Sequence, residues 1–156
     1  MLIDDYKSLR EDGIQINHFI YDDAGQVYTI EGNLSASSLI SHVCSKKDVI
    51  GQINWRMPRP DEIVIGDLII FDPPLYFKKW WQRLPFLDRR PVTFRGRGLG
   101  SAMLAYVLDS ARSMDVSLIR GWITSDDLAI TSYLPDFYRS RGFTVNEDLS
   151  FYQRLT

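Results

Sequence analysis

The chain has one cysteine, Cys44, and two histidines, His18 and His42, in 156 residues. A lone thiol excludes an intramolecular disulfide and predicts a reducing, cytoplasmic setting. Met1-Leu2-Ile3-Asp4-Asp5-Tyr6-Lys7 lacks a basic segment followed by an apolar one, so no signal peptide is expected. No apolar run approaches the ~18 residues that a membrane span needs. His18, His42 and Cys44 lack the spacing of metal ligands, so no metal centre is expected, and the histidines read as ordinary strand residues. Repeats, low-complexity tracts and linkers are also missing, and the length fits a single domain over residues 1–156. Excess charge of one sign is absent, since the net charge is −2, which argues against a general nucleic-acid binder. The charge is nevertheless uneven. Residues 73–97 hold Lys78, Lys79, Arg83, Arg89, Arg90, Arg95 and Arg97 against the single acid Asp88, which leaves −8 for the rest.

The first half reads as strands. Ile14, Ile16, His18 and Ile20 alternate through Gly13–Tyr21, and Asp22-Asp23-Ala24-Gly25 is a turn that leads into Gln26–Gly32. Ser38–Cys44 and Val49–Met57 flank Ser45-Lys46-Lys47-Asp48 as a second hairpin. Ile63–Phe71 is apolar enough to suggest burial on both faces, and Asp72-Pro73-Pro74 should end it. The period then changes. Leu99–Met114 is an amphipathic helix and Ser117–Thr124 a strand, and a shorter helix within Asp126–Ser140 should start near Thr131 and stop at Gly142. Phe143–Val145 and Leu149–Arg154 close the chain as short strands. This order predicts one α/β (α+β) domain, a mixed, mostly antiparallel sheet of about seven strands flanked by helices. Residues 72–94 form a long aromatic and basic insertion in which Tyr76–Leu84 could be helical.

The run Arg95-Gly96-Arg97-Gly98-Leu99-Gly100-Ser101 joins an extended stretch to the long helix. A glycine-rich turn that feeds a helix N-terminus offers free N–H groups and the positive end of the helix dipole, which together suit a phosphate. Its glycines are spaced two and two, not as Gly-x-Gly-x-x-Gly, and no Gly-Lys-Ser/Thr follows. The two common nucleotide loops are therefore excluded.

Read as Arg95-x-x-Gly98-x-Gly100, the run resembles the acyl-CoA pyrophosphate loop of the Gcn5-related N-acetyltransferase (GNAT) superfamily. Phe71-Asp72-Pro73 ahead of the loop, the strand Ser117–Thr124 after the helix, and Tyr138-Arg139-Ser140-Arg141-Gly142-Phe143 are similar to further elements of that family. The resemblance covers residues 49–156, with 72–94 inserted before the pyrophosphate loop; Thr131 stands where the family often has Asn, and strands replace the usual first helices.

The resemblance implies a GNAT-like acyl-CoA N-acyltransferase fold. It also implies transfer of an acetyl group from acetyl-CoA to a primary amine of a small molecule or protein, by direct attack in a ternary complex. It implies that N–H groups of Arg97–Ser101 hold the pyrophosphate, with Arg95 and Gly96 completing the loop. It implies that backbone groups at Ile70 and Phe71 pair with the pantetheine arm as an added strand does, and that Tyr138 donates a proton to the leaving thiolate. Asp67 or Glu62 could act as base. Asp67 also reads as a structural partner of an arginine, and Glu62 as a solvated residue at a strand edge. Tyr138 also reads as a packed aromatic. Trp80 and Trp81 could cover the core or a homodimer contact, or recognise substrate. Two other functions compete: a non-catalytic acyl-CoA-binding or regulatory module, and a nucleic-acid-associated protein using the 72–94 segment, which the −8 remainder disfavours.

Overall fold

Alternating apolar residues in the first half form successive strands: β1 (Ile16–Tyr21), β2 (Val27–Gly32), β3 (Ser38–Ser45), β4 (Asp48–Arg59) and β5 (Glu62–Leu75). A computed structural model describes residues 16–32, 38–45, 48–75 and 93–156. Trp80, Trp81, Lys78, Lys79 and the expected helix Tyr76–Leu84 lie outside the described residues. Helix α1 (Leu99–Ser113) follows, then β6 (Leu118–Trp122), α2 (Ser125–Ile130), α3 (Leu134–Arg139), β7 (Thr144–Val145) and β8 (Ser150–Arg154).

The strands form one mixed sheet in the order β1-β2-β3-β4-β5-β6-β8-β7. Among the described residues it has eight strands, against the expected total of about seven; each corresponds to a segment read as a strand from the sequence, including the two-residue β7, which pairs with β8. β1–β2, β2–β3, β6–β8 and β7–β8 are antiparallel, while β5–β6 is parallel. The parallel step needs a crossover, which α1 supplies.

Two expectations are corrected. β5 runs on through Asp72-Pro73-Pro74 to Leu75, and along Glu62–Phe71 the consecutive buried run is Glu62, Ile63, Val64 and Ile65. Its pairing with β6 ends at Ile65↔Gly121, and Gly66 and Asp67 beyond that point are exposed. The helix expected near Thr131 is two short helices, split there. Thr124 caps α2: its hydroxyl accepts from the Asp127 N–H at 3.1 Å, and Asp127 accepts from the Thr124 N–H at 2.9 Å. Thr131 is the C-cap of α2, and the chain re-enters a helix with Pro135 in its first turn. Gly142, at φ +87°, lies just past α3.

By contacts the described chain divides into two compact units. The first holds β1, β2, residues 40–45, 48–53, 68–75 and 93–104; the second holds 38–39, 54–67 and 105–156. In the first, Ile20, Tyr28, Ile30, Val43, Leu99 and Met103 are buried. In the second, Ile63, Ile119, Tyr138, Phe143 and Phe151 are buried. Along α1 the buried positions Leu99, Met103, Leu104, Val107 and Ala111 fall at the spacing of one helical face. Burying a leucine, methionine or valine side chain is worth roughly 1.5–3 kcal/mol.

Candidate functional site

The glycine-rich run lies in the first unit. Phe94, 5% exposed, packs edge-on against Tyr28 with ring centroids 6.1 Å apart, and the Arg97 guanidinium sits 5.4 Å from the Phe94 ring. These contacts anchor the loop from below. Gly96 (φ +72°) and Gly98 (φ +78°) occupy left-handed conformations that residues with a Cβ disfavour. The chain then enters α1, where the Ala102 N–H reaches the Gly98 carbonyl at 3.0 Å and Leu99 is buried. N–H groups of the first helical turn have no acceptor within the helix. The first turn of α1 also has no acid of its own to offset the positive end of the dipole. Arg95 donates from Nε to the Ile70 carbonyl at 3.2 Å, which ties the loop to the half-buried stretch Ile70–Phe71 of β5.

A second element, the Asp22-Asp23-Ala24-Gly25 turn, touches this loop. The Asp23 N–H donates to the Arg97 carbonyl at 2.9 Å. A Cβ placed on Gly98 would meet Asp23 Oδ1 at 2.1 Å, so the Asp23 carboxylate fills the space above that glycine. Its neighbour Asp22 is buried. Asp22 accepts from the Ala24 N–H (3.0 Å), the Gln26 N–H (2.8 Å) and the Tyr28 hydroxyl (3.0 Å), and Arg97 lies 3.9 Å away. Burial pushes the Asp22 carboxyl up, but the Gln26, Tyr28 and Ala24 donors and the Arg97 charge outweigh it and hold the group below its ordinary range. Asp22 thus fixes the turn, and the turn presents Asp23. The Asp-Asp pair was visible in the sequence; its proximity to a loop about seventy-five positions later was not, since only the fold supplies it.

The other expected site residues lie in the second unit. Asp67 is exposed on β5 and accepts from Asn54 Nδ2 at 2.9 Å, so its structural partner is an amide and not the expected arginine. Glu62 is not solvated: it is 2% exposed and bound by two arginines, Arg59 Nε at 2.8 Å and Arg120 Nε, which also donates to it. The Arg120 hydrogen bond, opposed by burial and helped by Arg59, holds the Glu62 carboxyl below its usual range. A buried, doubly paired carboxylate is a structural ion cluster and a poor proton acceptor. Arg59 is three residues away and readable; Arg120 is far along the chain and joins through the β5–β6 pairing.

Tyr138 ends in an aromatic cluster. It is 5% exposed, stacks on Phe151 at 3.9 Å, and meets Phe137 and Phe143 edge-on at 5.3 and 5.6 Å. Burial, with a smaller push from the Asp127 charge, raises the phenol above its ordinary range. A phenol so placed keeps its proton at neutral pH and gives it up less readily than an ordinary tyrosine, so the shift argues for packing and neither for a base nor for a stronger donor. Among the described residues no group of three or more His, Cys, Asp or Glu could hold a metal ion. No described helix is long and apolar enough to cross a membrane.

No family model matches the sequence, and no curated protein is similar to it in sequence. Solved structures are similar in fold. A GNAT family acetyltransferase from Elizabethkingia anophelis with acetyl-CoA bound is 12% identical, with a TM-score of 0.51 over 71% of this chain and 57% of that one. The PaiA N-acetyltransferase from Thermoplasma acidophilum in complex with coenzyme A is 12% identical, with a TM-score of 0.53 over 76% of this chain and 62% of that one. This chain therefore spans less than two thirds of either. The GNAT domain of PAT from S. lividans is 10% identical, with a TM-score of 0.60 over 88% of this chain and 96% of that one. The strand order, the parallel β5–β6 step across α1 and these likenesses together identify the fold of the chain as the GNAT acyl-CoA N-acyltransferase fold.

Proposed function

We propose that the protein is an acetyl-CoA-dependent N-acetyltransferase that acetylates a primary amine of a small molecule or protein. The observation that carries this reading is the turn into α1. Gly96 and Gly98 hold left-handed backbone, and the helix starts with no acid of its own, flanked by Arg95 and Arg97. This is the chemistry of a diphosphate cradle on a fold whose neighbours include structures with acetyl-CoA or CoA bound. In this reading Arg95, Gly96, Arg97, Gly98, Leu99, Gly100 and Ser101 form the diphosphate site. Ile70 and Phe71 offer backbone groups to the pantetheine arm, and Arg95 braces that stretch through the Ile70 carbonyl. Acetyl-CoA supplies the thioester; the protein supplies position and protons. Holding two substrates in register provides much of the rate. Tyr138 holds a proton for the leaving sulfur, and Asp67, exposed on β5, accepts a proton from the substrate ammonium directly or through water, so that the neutral amine attacks.

The test is thiol release from acetyl-CoA in the presence of a panel of small amines and lysine- or N-terminal-amine peptides, with product mass as confirmation. Amine-dependent thiol release that is lost in Gly98→Glu supports the reading. Tight acetyl-CoA binding with no acetylated product from any amine class would instead support a non-catalytic acyl-CoA-binding module.

A further inference from the structure

We infer that the β1–β2 turn is an acidic latch on the anion-binding loop, in which the Asp23 carboxylate occupies space that a bound diphosphate needs. The inference rests on the proposed reading of the loop as a diphosphate site and adds its regulation.

Three observations within the first unit carry it. The Asp23 carboxylate lies directly over Gly98, with Oδ1 2.1 Å and Cγ 2.6 Å from the position a Cβ would take. The turn is held against the loop by its own backbone, through the Asp23 N–H to the Arg97 carbonyl at 2.9 Å. It is also internally rigid: Asp22 is buried and accepts the Ala24 and Gln26 N–H groups and the Tyr28 hydroxyl, and Gly25 closes the turn on the Asp22 carbonyl at 2.9 Å. The Asp23 carboxylate thus lies beside the Gly98 backbone at the N-terminal end of α1, a place that favours an anion. Asp23 provides that anion from within the chain.

A diphosphate approaching Gly98 meets a carboxylate in its place. Two like charges within a few ångströms cannot both sit on one small patch, so the Asp23 side chain must swing outward before the ligand seats. Asp23 is exposed, so its side chain can rotate without breaking the core, whereas Asp22 and the backbone clasp stay in place. The latch has two consequences. It lowers affinity for any ligand that depends on the loop. It also raises selectivity, because a weak anion such as free phosphate gains too little to displace the carboxylate, while a ligand with further contacts along β5 gains enough.

The experiment compares acetyl-CoA binding to the wild-type chain, Asp23→Asn and Asp23→Ala by titration calorimetry, with acetyl-pantetheine, which lacks the phosphates, as a second probe. Both variants keep the backbone N–H to Arg97, and thermal melts check their folding. The expected result is an acetyl-CoA affinity about tenfold or more tighter in both variants, with no change for acetyl-pantetheine. A wild-type chain that binds too weakly to measure, beside an Asp23→Asn variant that binds, also supports the latch. Equal acetyl-CoA affinity in folded wild-type and variant chains overturns the latch and leaves the acyl-CoA reading standing. No binding of acetyl-CoA to any of the three overturns both.

Discussion

Replacing Tyr138 by Phe removes one oxygen atom and leaves the aromatic cluster intact. The ring still stacks on Phe151 at 3.9 Å and still meets Phe137 and Phe143 edge-on. The expected change in stability is within about 1 kcal/mol, or roughly 2–4 °C in Tm for a chain of this size. Tyr138→Ala is the contrast. It deletes the stacked ring, and large-to-small substitutions of buried aromatics cost roughly 3–5 kcal/mol, or about 6–20 °C. If the hydroxyl donates its proton to the leaving sulfur, Tyr138→Phe lowers single-turnover thiol release by about 10²–10⁴-fold with little change in acetyl-CoA affinity. The raised phenol pKa adds a pH signature. The proton stays on the oxygen through the ordinary alkaline range, so Tyr138 contributes no falling limb between pH 8 and about 10, where an unperturbed tyrosine would begin to lose its proton. Rapid-quench thiol release across pH 6–10, beside thermal melts, separates the two roles. A Phe variant that keeps both the wild-type single-turnover rate and the wild-type Tm would refute the donor role and leave Tyr138 as packing alone.

Acid stability should follow Asp22 and Glu62. Both carboxyls are held below their ordinary values of 3.8 and 4.5, so their contribution is complete above those values and is lost as pH falls through the lower folded ones. Tm is expected to be flat from pH 6 to 8 with a decline that starts only below about pH 4.5; a decline that starts at pH 6 would contradict this. In Glu62→Gln the acid limb should become shallower, at a cost of about 1–3 kcal/mol at pH 7 by urea unfolding; a variant as stable as wild type would show that the arginine pairing adds nothing. Gly121→Ala should cost about 1–3 kcal/mol, because its Cβ meets Phe151 Cζ at 2.4 Å and the Ile65 carbonyl at 2.9 Å. A shift in Tm under 1 °C would mean that the sheet yields there. Thr124→Ala removes both hydroxyl hydrogen bonds of the α2 cap and should cost about 1 kcal/mol; near-neutral unfolding would show that α2 is held by its surroundings instead.

The parts that were legible in the sequence are those set by neighbours along the chain. Period-two alternation and Asp22-Asp23-Ala24-Gly25 place the first hairpin within a few residues. Leu99, Met103, Leu104 and Val107 mark one face of α1, and the glycines mark the turn before it. The split between α2 and α3 has a local signal, the Thr124-Ser125-Asp126-Asp127 capping box. Other features depend on the fold. Glu62 follows a turn and looks solvated until β6 brings Arg120 against it. Asp23 looks like an ordinary turn acid until the backbone clasps Arg97 and sets the carboxylate over Gly98. Tyr138 looks equally like a donor and a packed ring, and the structure puts its ring in an aromatic cluster while leaving its proton in place at neutral pH.

The central claim is that the turn into α1 holds the diphosphate of acetyl-CoA. Its most direct test is calorimetric titration of acetyl-CoA into the wild-type chain and Gly98→Glu, with ATP and NAD as controls and melts to verify folding. The account expects one-site binding specific to acetyl-CoA and abolished in the folded variant, where a side chain and an added negative charge enter the cradle. Absence of binding at millimolar acetyl-CoA to both the wild-type chain and Asp23→Asn, or equal binding by the folded Gly98→Glu chain, would contradict it.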